Sequence, residues 1–246
     1  MRVVSVPCLK DNYAYLVIDE GTQRCAVVDP GESEPVAAAI AREGVTLGAI
    51  WATHHHPDHV GGIAGLYKEG LEVVAHEKDA DKVPHCSHRV VDGQTVTMDG
   101  LAAKIIHNPG HTLGAITFVI DGCAFTGDTL FCAGCGRVFE GDPAMMQKSL
   151  DKLGSLPGDT KVYCGHEYTA ANLVFAAAVE PENRDVVARA AALQTPSVPS
   201  TMGEERKTNP FLRARNAAVV AAAVQRGAET NPAAVFAAIR EWKNNF

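Results

Sequence analysis

Short runs of apolar and β-branched residues recur through the first two thirds of the chain, and most are too short to be helices. Ten of them predict strands: Val3–Pro7, Tyr13–Asp19, Cys25–Asp29, Ala49–Thr53, Glu72–His76, Thr95–Met98, Ala103–His107, Ala115–Ile120, Cys123–Thr126 and Lys161–Cys164. Between them, helical patterns cover Glu34–Glu43, Val60–Tyr67 and Pro143–Leu153, the last with Asp142 as its expected N-cap. Because strands dominate and helices are interleaved, two sheets sandwiched by helices are favoured over one wound parallel sheet.

The pattern changes after His166, where Ala-rich, helix-prone segments replace the strand runs. These segments are Tyr168–Val179, Pro181–Leu193, Ala214–Gln225 and Pro232–Lys243. Prolines at 196, 199 and 210 predict that Thr195–Pro210 is a loop without regular helix. The expected class is therefore α+β, with an αββα domain over residues 1–165 and a small α-helical domain over residues 166–246.

Composition is that of an ordinary globular protein, since 46% of the 246 residues are hydrophobic and 21% are charged. No apolar run is long enough to span a membrane, and the first residues lack a secretory signal pattern. Seven scattered cysteines, an odd number, are expected to be reduced thiols, which places the protein in the cytoplasm. The net charge of −7, without a basic run, argues against a nucleic-acid partner.

The densest chemistry lies in Thr53-His54-His55-His56-Pro57-Asp58-His59, directly after a predicted strand. Four imidazoles and a carboxylate in six positions indicate a metal site rather than packing. His54 and His56, two apart in extended chain, can point to the same side. Asp58 and His59 fall where the chain turns into a helix and can point elsewhere, so two ligand pairs suggest two metals.

Two catalytic sites need about three protein ligands each, so further ligands are expected at other strand ends. Three residues follow an apolar run and a glycine, in loops that a rigid scaffold would support: His111, Asp128 and His166. We expect His55 to be structural because extended geometry turns it away from its neighbours. Cys132 and Cys135 form a Cys-x-x-Cys pair, which leaves a redox or zinc-binding module as a rival interpretation.

The order His-x-His-x-Asp-His, then separate His, Asp and His, resembles the metallo-β-lactamase superfamily, whose fold is an αββα sandwich. Further motifs resemble the hydroxyacylglutathione hydrolase (glyoxalase II) family and cover essentially the whole chain. They include Gly127-Asp128-Thr129-Leu130-Phe131, Gly134-Cys135-Gly136-Arg137, Phe139-Glu140-Gly141, Cys164-Gly165-His166-Glu167-Tyr168-Thr169, Asn209-Pro210-Phe211-Leu212-Arg213 and Arg240-Glu241-Trp242-Lys243.

The resemblance implies a ligand assignment for two divalent metal ions, which the family takes as zinc, with iron or manganese able to occupy the site. One ion would be bound by His54, His56 and His111, the other by Asp58, His59 and His166, and Asp128 would bridge them. The residues matching the family's glutathione site, in part contributed by the helical domain, are Arg137, Tyr168, Arg240 and Lys243. Some members carry Lys and Tyr where this chain has Arg137 and Phe139.

By the same resemblance, the reaction is hydrolysis of the small-molecule thioester S-lactoylglutathione to D-lactate and glutathione, the second step of methylglyoxal detoxification. Hydroxide held between the metals would attack the thioester carbonyl, oriented by Asp58 or Asp128 as catalytic residues. The family suggests a monomer. The nearest rival enzyme is a glutathione persulfide dioxygenase of the same superfamily, which would need one iron and not the full second ligand set.

Overall fold

The computed structural model describes residues 1–246 and contains two six-stranded sheets. The first sheet has its strands in chain order: β1 (Arg2–Cys8), β2 (Asn12–Asp19), β3 (Arg24–Val28), β4 (Thr46–Trp51), β5 (Glu72–His76) and β6 (His88–Val90). The first three strands pair antiparallel, and β3 to β6 pair parallel. The parallel half is the part that carries sequence patterns of buried strands, since helices cover it on the outside.

The second sheet is mostly antiparallel and has the order β14-β13-β10-β9-β8-β7. Its strands are β7 (Thr95–Met98), β8 (Leu101–His107), β9 (Ile116–Ile120), β10 (Cys123–Gly127), β13 (Lys161–Cys164) and β14 (Ser200–Thr201). Only β10 and β13 pair parallel. A separate hairpin, the cleft hairpin, consists of β11 (Leu130–Phe131) and β12 (Gly134–Cys135) and follows β10.

Nine helices complete the fold: α1 (Ser33–Glu43), α2 (Pro57–Val60), α3 (Ile63–Leu66), α4 (Pro143–Gly154), α5 (Thr169–Val179), α6 (Arg184–Ala191), α7 (Met202–Thr208), α8 (Ala217–Val224) and α9 (Pro232–Asn244). None of them has both the length and the apolar character needed to cross a membrane. Asp142 caps α4 as predicted, accepting a hydrogen bond from Met145 N.

The three largest apolar cores lie between four layers. The central core joins the facing sides of the two sheets, where Trp51 stacks on Phe118 at a centroid distance of 5.2 Å. A second core lies between the first sheet and α1 to α3. The third holds α4 together with α5, α8 and α9. The predicted αββα sandwich with a C-terminal helical region is therefore confirmed, while the domain boundary after residue 165 stays a prediction.

Two local predictions are wrong. Thr195–Pro210 is not a plain loop, because β14 pairs with β13 and α7 follows it. No proline lies between Pro199 and Pro210, and Thr201 caps α7 by accepting from Glu204 N. The single helix expected over Val60–Tyr67 is instead the pair α2 and α3, which begins earlier, at Pro57.

Candidate metal centre

All seven predicted metal ligands lie at one edge of the sandwich, in loops and in the short helix α2. His54 and His56 follow β4, Asp58 and His59 lie in α2, and the other three residues follow strands of the second sheet. His111 follows β8, Asp128 follows β10 and His166 follows β13. Residues far apart in the chain thus meet because their strands end at the same edge.

The first group consists of three imidazoles. His56 Nδ1 lies 3.1 Å from His54 Nε2 and 2.9 Å from His111 Nε2. In a tetrahedral zinc site, bond lengths near 2.0–2.1 Å put neighbouring nitrogen ligands about 3.3 Å apart. Because one nitrogen faces two others at close to this spacing, the chemistry and geometry of the donor set fit a cation.

The second group combines one carboxylate and two imidazoles. His59 Nε2 and His166 Nε2 are 3.3 Å apart, and Asp58 Oδ2 lies 3.5 Å from the former and 3.4 Å from the latter. These three donor atoms are close enough to share one ion. Two three-residue groups therefore sit side by side, as the spacing of the His-rich segment suggested.

Asp128 lies between the two groups. Its Oδ2 is 3.4 Å from His111 Nε2 and 3.2 Å from His166 Nε2, and its Oδ1 is 3.3 Å from His59 Nε2. Oδ1 is buried and makes no hydrogen bond. Since buried polar atoms are normally hydrogen-bonded, a carboxylate oxygen that faces imidazole nitrogens without a hydrogen bond is one that a shared cation would satisfy.

Outer contacts orient four of the five histidines through the other ring nitrogen. His59 Nδ1 contacts Asp29 Oδ2 at 2.9 Å and His166 Nδ1 contacts Asp11 Oδ1 at 2.9 Å. His111 Nδ1 lies 2.8 Å from the Arg137 carbonyl oxygen, and His54 Nδ1 lies 3.0 Å from Thr53 Oγ1. A hydrogen bond at one nitrogen fixes the tautomer and leaves the other free as a ligand.

Sequence reasoning missed Asp29 and Asp11 as partners of these ligands. Asp29 had a usable signal, because it ends a predicted strand directly before Pro30 and Gly31, a setting like that of the other strand-end candidates. Its Oδ1 and Oδ2 also accept from Thr53 N at 2.7 Å and Thr53 Oγ1 at 2.6 Å. Asp11 lies in a short turn, and nothing local distinguishes it.

The electrostatics of the centre separate neutral from charged groups. Burial holds the pKa of His54 well below its usual value, so this imidazole is neutral, the form that binds a metal. Burial opposes the charged form of Asp128, but His59 and His166 outweigh it and keep the pKa of this carboxyl well below its usual range. A hydrogen bond from His166 likewise lowers the pKa of Asp58. The carboxylates are thus anionic.

A cleft of about 530 Å³ opens over the predicted metal ligands, and the four predicted substrate residues line it. Tyr168 stacks on His166 with ring centroids 4.8 Å apart. Arg240 Nη1 donates to the Cys135 carbonyl at 2.8 Å, and Lys243 Nζ donates to the Ala171 carbonyl at 3.2 Å. The cleft is thus lined by three cationic side chains, Arg137, Arg240 and Lys243. Its only carboxylates are those of Asp58 and Asp128.

Phe139 stands at the mouth of the cleft with 60% of its surface exposed. Its ring faces the metal-ligand candidates His56 and His111 at centroid distances of 5.7 and 5.2 Å. It covers one side of the first histidine group with an apolar face.

The Cys-x-x-Cys residues do not face each other. Cys132 Sγ lies 3.9 Å from Cys164 Sγ, whereas Cys135 Sγ lies 3.7 Å from Arg240 Nη1. All seven cysteines are free thiols, and burial raises the pKa of Cys135 to about 11. The geometry gives no support to a redox pair of Cys132 with Cys135.

The remaining histidines are placed outside the centre. His55 turns away, as expected, and its Nδ1 lies 2.9 Å from Asp79 Oδ2. His76 stacks on His107, His85 stacks on Tyr67, and His88 contacts Glu72.

Comparisons with known proteins agree with this geometry. Residues 10–166 match the family model described as metallo-beta-lactamase superfamily, and residues 167–246 match the one described as hydroxyacylglutathione hydrolase C-terminus. The chain is 44% identical to a hydroxyacylglutathione hydrolase of Vibrio campbellii, covering 100% of both chains. It is 48% identical to that of Rhodopseudomonas palustris, covering 96% of both.

Two solved structures have the same fold. ETHE1 from Myxococcus xanthus has a TM-score of 0.71 at 25% identity, covering 98% of this chain and 90% of that one. TTHA1623 in a di-iron-bound form has a TM-score of 0.63 at 28% identity, covering 86% of this chain and 100% of that one. Full-length matches and both family models confirm the predicted family. This chain therefore belongs to the hydroxyacylglutathione hydrolase family of the metallo-β-lactamase superfamily.

Proposed function

We propose that this enzyme is a metal-dependent thioesterase that hydrolyses S-lactoylglutathione, and related 2-hydroxyacyl thioesters, to glutathione and D-lactate. The observation that carries the proposal is the position of two three-residue ligand groups, joined by Asp128, in a cleft lined by three cationic side chains. Family membership supplies the substrate class, since the relatives are named for it.

The seven predicted ligands fit a pair of divalent ions, and we assign His54, His56 and His111 to one, Asp58, His59 and His166 to the other, with Asp128 shared. When bound, two such ions lower the pKa of water from 15.7 toward about 7 and polarise a carbonyl oxygen. Zinc is the proposed metal. Imidazole and carboxylate ligands without thiolate also suit iron and manganese.

The chain's own groups position the attacking water. Asp58 is held by Asn12 Nδ2, which donates to its Oδ2 at 2.9 Å, so its carboxylate can accept a hydrogen bond from water in a fixed orientation. Asp128 is oriented from the opposite side by the histidines around it. The leaving group is a thiolate whose parent thiol has a pKa near about 8.5, so it departs without a strong general acid.

The cationic wall suits the glutathione part of the substrate. Glutathione carries two carboxylates, and Arg137, Arg240 and Lys243 lie on the cleft side with Tyr168. Charge-assisted hydrogen bonds from such donors contribute about 1.5–3 kcal/mol each. Arg240 is buried and donates to the Cys135 carbonyl at 2.8 Å, whereas Lys243 is only half-buried and its bond to the Ala171 carbonyl is longer, so Lys243 is the freer binding group.

Three further features are proposed with this function. The catalytic domain spans residues 1–165 and the helical domain residues 166–246. The protein acts as a monomer. Its compartment is the cytoplasm, a proposal supported by seven free thiols, which a reducing environment maintains.

The function is tested by steady-state hydrolysis of S-lactoylglutathione beside an S-lactoyl thioester of a small uncharged thiol. We expect a preference of at least 100-fold in kcat/KM for the glutathione thioester. Lys243→Ala should raise KM about tenfold with little change in kcat, because the lysine charge stabilises the bound substrate and the transition state equally. Lys148→Ala, an exposed lysine on α4, is the control and should change neither. Equal rates on both thioesters would contradict the substrate assignment.

A further inference from the structure

The cleft hairpin, residues 130–135, forms one wall of the substrate cleft through Phe131 and Cys135. Each of its strands has two residues, which is too little pairing to be stable alone. The turn contains Ala133 at a φ of 55°, a left-handed conformation that disfavours alanine. Something outside the hairpin must hold it in shape.

Side chains of the helical region bind the hairpin backbone group by group. Asn209 Nδ2 donates to the Phe131 carbonyl at 3.2 Å and to the Gly134 carbonyl at 2.8 Å. Glu205 Oε2 accepts from Ala133 N at 2.7 Å. These bonds reach the backbone on both sides of the turn as well as the strained residue within it.

Two residues that line the cleft add further bonds to the same hairpin. Asn172 Nδ2 donates to the Cys132 carbonyl at 3.0 Å, and Arg240 Nη1 donates to the Cys135 carbonyl. Each of the five consecutive residues from 131 to 135 thus has one backbone group held by a side chain from outside the hairpin.

Asn209 and Glu205 are fully buried and do not line the cleft. Glu205 is fixed in turn, since its Oε1 accepts from Arg189 Nη2 at 2.7 Å and from Ser200. Its Oε2 also lies 3.1 Å from Asn209 Nδ2, whose two hydrogens are shared among this oxygen and the two hairpin carbonyls, so the two side chains orient each other. A buried polar network whose hydrogen bonds are all made is rigid, so it holds the hairpin backbone in one conformation.

We propose that Asn209 and Glu205 are positioning residues for substrate affinity, which shape the glutathione side of the cleft by holding the hairpin backbone. This rests on the proposed function for its substrate but not for its structural part. We expect kcat to be unaffected, because Asp128 precedes the hairpin and the turn that contains Asp128 and Thr129 is held by contacts of its own. Thr129 Oγ1 donates to the Asn108 carbonyl at 3.2 Å, and Thr129 N donates to the Thr126 carbonyl at 3.1 Å.

Asn209→Asp separates the two roles of this side chain. The carboxylate can still accept from Phe211 N, as Asn209 Oδ1 does at 3.1 Å, but it cannot donate to the hairpin. The control is Asn216→Asp, the same change at the N-cap of α8, where the side chain accepts from Ala218 N and has no bond to the hairpin. Glu205→Gln is the second test variant, which keeps the shape and one acceptor oxygen.

The readouts are amide hydrogen exchange of peptides covering residues 128–137 and steady-state kinetics, both on metal-loaded full-length protein. In Asn209→Asp we expect exchange in this segment at least tenfold faster, KM for S-lactoylglutathione about tenfold higher, and kcat and metal content within twofold of wild type. Glu205→Gln should likewise raise the exchange rate of residues 128–137 and the KM. If Asn209→Asp does not fold, Glu205→Gln alone tests the proposal. Asn216→Asp should leave both unchanged.

A folded variant with wild-type exchange at residues 128–137 would overturn the proposal. So would faster exchange with unchanged KM, or a loss confined to kcat and metal content, which is what general destabilisation produces. If wild-type protein does not hydrolyse S-lactoylglutathione, the proposed function fails instead, while the exchange result still decides whether these residues hold the hairpin.

Discussion

At the residue scale, several of the predicted ligand histidines depend on partners that do not line the cleft. Asp29 illustrates this, because one fully buried carboxylate fixes both His59 and the Thr53 turn from which the His-rich segment starts. Such outer carboxylates set the tautomer and raise the basicity of a ligand. Metal affinity is therefore a property of Asp29 as well as of the residues that touch the ions.

Asp29→Asn should weaken metal binding by 10- to 100-fold, as losses of outer partners typically do, because the amide cannot accept from His59 and Thr53 as a charged group. Chelator competition followed by metal analysis measures the affinity. Asp185→Asn, an exposed position in the first turn of α6, is the matched control. Unchanged affinity in Asp29→Asn would show that the contact is incidental.

The sequence predicted which ligand residues would converge, yet could not identify their partners. Spacing within His54–His59 is local information, so it was enough to predict two ligand pairs in one segment. The Asp11 contact with His166 joins residues 155 positions apart, and Asp11 has no pattern of its own. Contacts of this kind depend on how strands are ordered in the sheets, which one sequence does not specify.

At the element scale, strong local signals located helices and strands well. Asp142 followed by Pro143 marked the start of α4, and the Lys161–Cys164 run matches β13. The elements that were not predicted are β6, β14, α7 and the cleft hairpin, which are short and gain their stability from tertiary contacts rather than local propensity. Proline-based reasoning treated Thr195–Pro210 as one loop, although its middle is free of proline.

Asp142→Ala should lower the free energy of unfolding by about 1 kcal/mol, because Met145 N loses its cap acceptor at the start of α4. Urea denaturation at fixed metal content measures the change. Asp142→Asn retains a cap acceptor and should stay within about 0.5 kcal/mol of wild type. An equal loss in both variants would indicate a charge effect rather than capping.

At the scale of the whole molecule, the two sheets are joined near the catalytic edge by a stack of imidazoles. His76 ends β5 in one sheet and His107 ends β8 in the other, with ring centroids 4.1 Å apart. Burial, and next the neighbouring His107, lowers the pKa of His76 to about 4. A neutral His76 is therefore part of the folded state.

The free energy of unfolding should decrease as the pH is lowered from about 6.5 to about 4. As the pH is lowered, His76 of the unfolded chain binds a proton near pH 6.5, whereas His76 of the folded protein does so only near pH 4. The stability that the neutral His76 gives the folded state is therefore fully present above about pH 6.5 and is lost toward pH 4. The loss is at most about 3 kcal/mol. His76→Phe keeps a flat ring against His107 but cannot titrate.

Denaturant unfolding at several pH values compares the two proteins. Between pH 6.5 and 4, wild type should lose more stability than His76→Phe, and above pH 7 the two curves should run parallel. Identical slopes over the acidic range would rule out His76 as the source of this acid sensitivity.

The layered fold could be predicted because alternating strand and helix patterns, followed by an Ala-rich helical region, leave few ways to bury every apolar face. The hydrophobic pattern of a single sequence does not predict that α4 packs against α8 and α9. This packing joins the two predicted domains in one apolar core. That core also places Arg240 and Lys243 over the cleft.

Metal dependence tests the central claim most directly. The protein is depleted of metal with a chelator, and S-lactoylglutathione hydrolysis is followed while zinc is added back in measured steps. The account predicts no turnover without metal, recovery up to two ions per chain, and glutathione and D-lactate formed in equal amounts. Full turnover by metal-free protein, or none by protein carrying two ions, would contradict it.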